Sequence, residues 1–181
     1  FPAEEIPCDA GARAALAALL TYLHETVMAD LSQINRLSFL DAAETMQLDI
    51  DTLRNLEITR SLRDGGKKNT LFDVLDFTRT PMGTRLLKAW LEHPLLTPHR
   101  IDARLDAVAE LVEKSTLRAD LRDALHTVYD FERLLTRIET QTANARDLVA
   151  LRISLATLPA VRACLTAAAS RLLVRAAGEI E

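Results

Sequence analysis

Hydrophobic residues recur along most of this chain at the three- and four-residue spacing of an amphipathic helix. The first such stretch covers residues 10–28, where Asp9 is placed to cap the helix and leucines form one apolar stripe. Residues 36–48 instead show a rough alternation of apolar and polar positions, which predicts two short strands. The overall pattern predicts an all-α, multi-helix array with room for one short β-hairpin near residues 36–48.

Capping residues and prolines divide the remainder of the chain into helices. A hydroxyl or carboxylate side chain at a helix start can accept the N–H groups that the first turn leaves free. In Thr80-Pro81 and Thr97-Pro98 a proline follows at the first helical position, where it loses no hydrogen bond. The predicted helices start at Asp49 or Asp51 (to Ile58), Thr70 (to Phe77), Thr80 (to Glu92), Thr97 (to Lys114), Ser115 and Asp130, and two more cover 145–158 and 159–169.

The stretch GGKKNT, residues 65–70, invites comparison with a phosphate-binding loop. Such a loop has the pattern G-x-x-x-x-G-K-[ST], because its glycines let the backbone wrap the phosphates and its hydroxyl holds magnesium. When Gly66-Lys67 is aligned with the G-K pair, Ser61 falls at the first glycine and Lys68 at the hydroxyl. The stretch is therefore predicted to be a turn between helices, and the isolated chain is predicted neither to bind nor to hydrolyse ATP.

Charge is distributed unevenly along the 181 residues, whose formal net charge is −4. Residues 1–59 carry ten acidic residues and three arginines, whereas residues 60–88 carry seven basic residues and three aspartates. The net negative charge argues against a protein whose whole surface binds DNA. The basic stretch 60–88 has two interpretations: a solvated face, or a weak contact with nucleic acid or an acidic partner.

Residues with catalytic or metal-binding potential are present but scattered. His24, His93, His99 and His126 lack a second His or Cys at a ligand spacing, and Cys8 and Cys164 lie far apart. Catalytic, cofactor-binding and metal residues are accordingly all predicted to be absent. The composition and two unpaired thiols favour a cytoplasmic protein, with no apolar run as long as a membrane span and no signal peptide. Because the chain begins at Phe1, we expect it to be a piece of a longer protein.

One long segment resembles a known family. Residues 53–96 read LRNLEITRSLRDGGKKNTLFDVLDFTRTPMGTRLLKAWLEHPLL, and the most specific part is TPMG-x-R-LL-x-x-WL. This segment resembles the core, or lever, domain of the MutS family of DNA mismatch-repair ATPases. The similarity extends over about residues 46–165, through Ile101, Arg104-Leu105-Asp106, Val108, Asp130-Phe131-Glu132-Arg133-Leu134, Arg137-Ile138, Asp147-Leu148, Leu151, Leu158-Pro159 and Arg162.

The resemblance implies a domain layout and a function. Residues 1–45 would form the join between the connector and the core together with the first helix, and residues 46–181 the first segment of the core domain. The parent protein would recognise mismatched duplex DNA, hydrolyse ATP with magnesium, form a homo-oligomer and meet other mismatch-repair proteins, without a membrane. This piece would be the helical lever that couples the ATPase to the DNA-gripping parts, with no active site of its own. The alternatives are an independent helical interaction module and a weak nucleic-acid binder through residues 60–88.

Two structural expectations accompany that interpretation. Thr80, Pro81 and Gly83 should form the entry of their helix, and the next turns should bury one face of it. That buried face is predicted to contain Leu86, Leu87, Trp90 and Leu91, with Trp90 as a core residue. Because the family completes this domain with a second segment, the later helices should also expose an apolar strip, with Leu148, Leu151, Leu155 and Leu158 as candidates.

Overall fold

The computed structural model describes residues 10–27 and 44–180. In these residues the regular structure is helical and no β-strand occurs, which confirms the predicted all-α class. The helices are α1 (Ala10–Val27), α2 (Ile50–Asn55), α3 (Leu71–Leu75), α4 (Pro81–Glu92), α5 (Pro98–Glu113), α6 (Ser115–His126), α7 (Phe131–Glu139), α8 (Ala145–Leu165) and α9 (Arg171–Glu179).

The chain divides into two compact units, Phe1–Asp41 and Ala42–Glu181. In the first unit α1 is the described element, an alanine-rich helix as the sequence predicts, while its expected cap Asp9 lies outside the described residues. The second unit contains α2 to α9. The assignment of residues 1–45 to a connector-to-core join and of residues 46–181 to a core segment stays a prediction.

The described half of the predicted β-hairpin does not form a strand. Thr45 makes an isolated antiparallel bridge with Leu95, and the N–H of Met46 donates to the carbonyl of Pro94 at 2.7 Å. Pro94 stops α4 from continuing, so the backbone that follows is extended and free to pair with residues 44–46. Residues 36–43 lie outside the described residues.

The second unit is built around α8, which packs against α6, α7 and α9, while α5 packs against α6 and α9. Apolar side chains buried in these contacts include Ala107, Val128, Leu134, Val161 and Leu165. The smaller helix α3 packs on α4 and buries Phe72. The long α8 therefore holds the later helices in one array.

The helix α8 runs without a break through Pro159, so the prediction of two helices at 145–158 and 159–169 is wrong. Proline lacks an N–H and disfavours a helix interior, but here buried residues lie on both sides of it. Ser154 precedes the proline, and Val161 and Leu165 follow it, all inside the array. Tertiary packing thus outweighs the local preference of one residue.

The same helix is long and apolar enough to cross a bilayer on length and composition alone, contrary to the sequence-based expectation. Arg152 and Arg162 lie within its apolar length, and charged side chains are costly at the centre of a bilayer. The buried residues of α8 face neighbouring helices. These features are typical of a central helix in a helical array.

Several helix ends differ from the predicted ones. Asp49 accepts the N–H of Thr52 at 2.6 Å, but α2 ends at Asn55 rather than Ile58, because Glu57 takes a left-handed conformation with φ of 47°. Ser115 is the first residue of α6 rather than its cap, and Lys114 precedes it without a side-chain cap bond. The residues after Ala169, whose structure the sequence left open, form α9.

The stretch GGKKNT belongs to an irregular connection between α2 and α3. Its two ends meet, since the N–H groups of Leu71 and Phe72 donate to the carbonyls of Glu57 and Ile58 at 3.2 and 2.9 Å. Gly65 has φ of 69°, a left-handed conformation that glycine adopts without steric cost. Thr70 is the cap of α3, as predicted.

Candidate functional site: polar joints between the helices

The entry of α4 is fixed by side chains of the TPMG motif. The hydroxyl of Thr80 accepts the N–H of Gly83 at 3.1 Å, and Pro81 occupies the first turn. A Cβ added at Gly83 would lie 3.1 Å from that hydroxyl and 3.5 Å from the Cβ of Thr78. Thr80 thus caps the helix and a side chain at position 83 would crowd that cap, in agreement with the predicted roles of Thr80, Pro81 and Gly83 at the helix entry.

One turn further along α4, Arg85 connects this helix to the start of α7. Its guanidinium donates to both carboxylate oxygens of Asp130 at 2.7 Å and to Glu132 at 2.6 Å. Asp130 is also the N-cap of α7 and accepts the N–H of Arg133. The hydrogen bonds from Arg85 hold the pKa of Asp130 below its ordinary value. The bidentate geometry fixes direction as well as distance. We call this contact the α4–α7 joint.

A second pair connects α7 to α8. Arg137 donates to Asp147 at 2.7 Å, and Asp147 is buried. Asp147 also accepts the N–H of Asn144, whose own side chain caps α8, so the two residues form a capping box. This backbone hydrogen bond and the one from Arg137 lower the pKa of Asp147. The α7–α8 joint therefore orders a helix start and an ion pair together.

A third joint connects α5 to the start of α9 through Glu110. This buried carboxylate accepts the N–H groups of Ala169 and Ser170, both at 2.7 Å, and pairs with Lys114 at 2.8 Å. Lys114 also donates to the carbonyl of Ala167. The hydrogen bonds from Lys114, Ser170 and Ala169 lower the pKa of Glu110 to about 2. A carboxylate from one helix thus takes the place of a local cap on another.

Two further contacts join a side chain of one element to a backbone group of another. Ser154, fully buried in α8, accepts the N–H of Tyr129 at 2.9 Å and donates to the carbonyl of Ala150. Arg122 of α6 donates to the carbonyl of Phe77, just after α3. Buried polar atoms that are hydrogen-bonded fix a single arrangement of their neighbours, because any shift leaves them unpaired.

The predicted buried face of α4 is only partly buried. Leu87 and Leu91 are half-buried, whereas Leu86 is 51% exposed and Trp90 is 37% exposed. The guanidinium of Arg104 lies 3.6 Å from the centre of the Trp90 ring, a cation–π contact. The prediction that Trp90 is a core residue is wrong, because its ring is covered by an arginine from α5 rather than by apolar side chains.

The basic stretch 60–88 is divided between paired and unpaired side chains. Lys67 pairs with Asp76 at 2.8 Å, Arg85 forms the α4–α7 joint, and Lys88 lies 3.8 Å from Glu92. The remaining basic side chains are exposed and bond to no other part of the chain that the structure describes; they are Arg60, Arg63, Lys68 and Arg79. Much of this stretch is irregular backbone rather than one helix face.

Metal-binding or catalytic groups have little support in the described ranges 10–27 and 44–180. They contain no group of three or more His, Cys, Asp or Glu side chains that could hold a metal ion. The four histidines are exposed, and His93 ends α4 by donating its N–H to the carbonyl of Ala89. The prediction that catalytic, cofactor and metal residues are absent stays a prediction.

Sequence reasoning missed the pairing of the joint residues. Arg85, Asp130 and Asp147 stand in the motifs quoted for the resemblance, but nothing local shows which residues they meet. Glu110 resembles any acidic residue on a polar helix face. Only Ser154, a hydroxyl within the apolar sequence of α8, carried a usable signal, since such a residue needs a buried partner.

The fold and its joints define a class: an all-α structural module whose helices are held in fixed relation by charged and capped contacts. The MutS domain III family model matches residues 51–178, and the chain belongs to this family. The match runs from the second residue of α2 to the last but one residue of α9. Membership also agrees with the resemblance found in the TPMG segment.

Individual relatives support the same assignment. The chain is 52% identical over 154 residues to the DNA mismatch repair protein MutS of Symbiobacterium thermophilum, covering 85% of this chain and 18% of that protein. It is 52% identical over 146 residues to the MutS of Methanosarcina mazei (81% and 16%) and 46% identical over 162 residues to that of Pelotomaculum thermopropionicum (90% and 19%). The chain therefore spans less than a fifth of the length of these relatives.

Proposed function

We propose that this chain is a mechanical element of a DNA mismatch-repair protein, a helical lever with no active site of its own. The complete protein would bind mismatched duplex DNA and hydrolyse ATP with magnesium, in the cytoplasm, as a homo-oligomer with other repair proteins. The observation that carries the proposal is the series of joints from α4 to α9. A rigid connection between distant sites needs packed elements that move together.

The joints are suited to transmission because each links the side of one helix to the start of another. Arg85 links α4 to the start of α7, Arg137 links α7 to the start of α8, and Glu110 links α5 to the start of α9. Each carboxylate both caps a helix start, or takes the place of its cap, and pairs with a cation. When one helix of a joint is displaced, its partner helix would therefore be reoriented, and the two would not slide past each other.

The proposal can be tested in a chimera in which this chain replaces the matching segment of the Symbiobacterium thermophilum protein. The measurements are ATP hydrolysis with and without mismatched duplex, and duplex binding. Arg85→Ala should reduce the stimulation of ATP hydrolysis by DNA about fivefold, at the lower end of typical coupling between sites. Basal hydrolysis and duplex binding should change less than about twofold on the same scale.

Arg79→Ala is the matched control, since this exposed arginine lies on the same stretch and makes no joint. The lever role would be refuted by full DNA stimulation in a folded Arg85→Ala chimera. Binding of duplex by the isolated chain that is lost on replacing Arg60, Arg63, Lys68 and Arg79 by Gln would support the weak nucleic-acid binder instead. Nucleotide binding lost on Lys67→Ala would contradict the assignment of GGKKNT as a plain turn.

A further inference from the structure

A cleft of about 840 Å³ opens between α5 and α9, and of its lining residues only Ala169 belongs to a joint of the proposed lever. Its apolar lining includes Leu95, Ala103, Leu172 and Val174. Its volume is in the range of small-molecule sites in proteins. The cleft is therefore large enough to hold a ligand rather than a single ion or water.

The polar lining of the cleft is basic, and its arginines are arranged in two matched pairs. Arg100 and Arg104 are four residues apart on α5, and Arg171 and Arg175 are four residues apart on α9. Residues at this spacing lie on one face of a helix. Two facing helices therefore each direct a pair of guanidinium groups to the same cleft, which His99 also lines.

Residues from the first turns of both helices contribute to the lining of the cleft. His99 and Arg100 lie in the first turn of α5, and Arg171 and Leu172 lie in that of α9. Thr97 makes no side-chain cap bond at the start of α5, whereas at the start of α9 the carboxylate of Glu110 accepts the N–H groups of Ala169 and Ser170. The start of α5 carries partial positive charge, which adds to that of the arginines.

Counter-charges from the described residues balance only part of this cluster. Arg100 pairs with Glu44, and Arg175 pairs with Glu179 at 2.8 Å. Arg104 stacks on Trp90 without a carboxylate, and Arg171 bonds to no group in the part of the chain that the structure describes. Glu110 lies beside the start of α9, but its charge is matched by Lys114.

Arg104 shows the effect of this imbalance. Burial lowers the pKa of its guanidinium below the ordinary value, and the nearby charge of Arg100 lowers it further. The Coulomb energy of like charges in a partly desolvated site is relieved when an anion enters.

We propose that the α5–α9 cleft is a binding site for phosphate groups of a polyanion, held by Arg104 and Arg171. The residues of fixed positive charge in the lining are all arginines, whose planar fork matches phosphate oxygens in a bidentate way. Phosphate also suits the start of α5, where no side chain caps the first turn. The apolar lining accommodates a base or sugar attached to the phosphate.

The test uses the 181-residue chain and sodium tripolyphosphate as the probe. Trp90 is the only tryptophan and lies against Arg104, so its fluorescence reports on the cleft. Titration should give a saturable change in emission. Arg171→Gln should weaken binding by about tenfold, the value of one lost charge-assisted contact. Arg104→Gln, which alters the reporter itself, should weaken binding similarly when heat is measured by calorimetry.

Arg152→Gln is the matched control, because Arg152 is an exposed arginine of α8 outside the cleft. It should leave the affinity unchanged, and circular dichroism should show equal helix content in all variants. No saturable signal, or an equal loss in Arg152→Gln and Arg171→Gln, would overturn the proposal. Equal affinity for hexaglutamate at the same ionic strength would also overturn it, since carboxylates would then serve as well as phosphate.

Two further ligands distinguish the sources of phosphate. Twelve-residue oligothymidylate that competes with tripolyphosphate would place a nucleic-acid backbone in the cleft, whereas competition by ATP alone would identify a free nucleotide. Either result supports phosphate binding. Lys67→Ala should change the affinity neither for oligothymidylate nor for ATP. Lys67 does not line the cleft, and its side chain pairs with Asp76. If ATP binds in this cleft, the prediction that the chain does not bind ATP would hold only for the GGKKNT turn.

Discussion

Two threonines that precede proline at the start of a helix differ in what their side chains do. Thr80 accepts the N–H of Gly83, whereas Thr97 makes no side-chain cap bond. The sequence predicted the same role for both residues, because the Thr-Pro pattern is the same. The backbone also differs at the two positions, with ψ of 147° before α4 and 113° before α5.

This contrast gives a matched pair of substitutions. Thr80→Ala should lower the free energy of unfolding by about 1 kcal/mol, the usual value of a side-chain cap. Thr97→Ala should change it by less than about 0.5 kcal/mol, as for a surface substitution without a specific contact. Urea unfolding of both variants provides the comparison. Equal losses in the two variants would show that the cap of Thr80 contributes nothing specific.

Trp90 provides a second prediction at this scale. Because its ring is partly exposed under Arg104, Trp90→Ala should lower the free energy of unfolding by about 2 kcal/mol, less than the roughly 3–5 kcal/mol of a fully buried aromatic. Leu134→Ala, at a buried site of α7, should cost at least as much despite removing fewer atoms. If urea unfolding shows a much larger loss of stability for Trp90→Ala than for Leu134→Ala, Trp90 is a core residue after all.

At the scale of elements, α9 is attached through one carboxylate with a strongly lowered pKa. In the folded chain the pKa of Glu110 is about 2, below its ordinary value of 4.5. A lowered folded pKa means that the ionised group stabilises the fold above pH 4.5. This contribution is lost progressively as the pH falls from about 4.5 towards 2.

The expected result is an acid-induced loss of stability that Glu110→Gln partly removes. Urea unfolding midpoints should be measured from pH 7 to pH 2. Above pH 4.5 the midpoint of the unsubstituted chain should be higher than that of Glu110→Gln, and below pH 4.5 the two should converge. Asp130 and Asp147 also have lowered pKa values and contribute in both proteins, so the difference between the two curves isolates Glu110. A difference that stays constant with pH would contradict the ionic role of Glu110.

Helix starts could be predicted from the sequence, while most joints and some helix ends could not. Asp49, Thr70 and Asp130 cap helices as expected, because a cap is decided by residues two or three positions apart. Arg85 and Asp130 are 45 positions apart, and Glu110 and Ala169 are 59 apart. Contacts at these separations depend on how the helices pack, which no local pattern records.

For the whole molecule, many apolar side chains remain outside the core. The predicted strip on α8 is partly confirmed, since Leu148 is 53% exposed and Leu155 is 50% exposed, while Leu151 and Leu158 are half-buried. On α5, four side chains at heptad spacing are also exposed: Ile101, Leu105, Val108 and Val112. Contiguous apolar surface of this kind tends to be covered by other protein.

We therefore expect the isolated chain to associate with itself as its concentration rises. Sedimentation velocity should show a concentration-dependent increase in mean mass, and Leu148→Gln with Leu155→Gln should reduce it. Phe77→Gln, at another exposed apolar position, is the control and should leave the association unchanged. A chain that stays monomeric at all concentrations would show that these leucines are tolerated in water.

The connection between α2 and α3 has a practical consequence that follows from its closed base. Because the two backbone hydrogen bonds at Glu57 and Ile58 bring its ends together, the segment between them is an Ω-shaped excursion rather than a strained link. Its tip around Gly65 is exposed and open. Doubling the length of such a loop costs only about 0.6 kcal/mol of closure entropy. A peptide epitope or spectroscopic tag could therefore be inserted at Asp64–Gly65 and project from the chain without disturbing the helices beneath it.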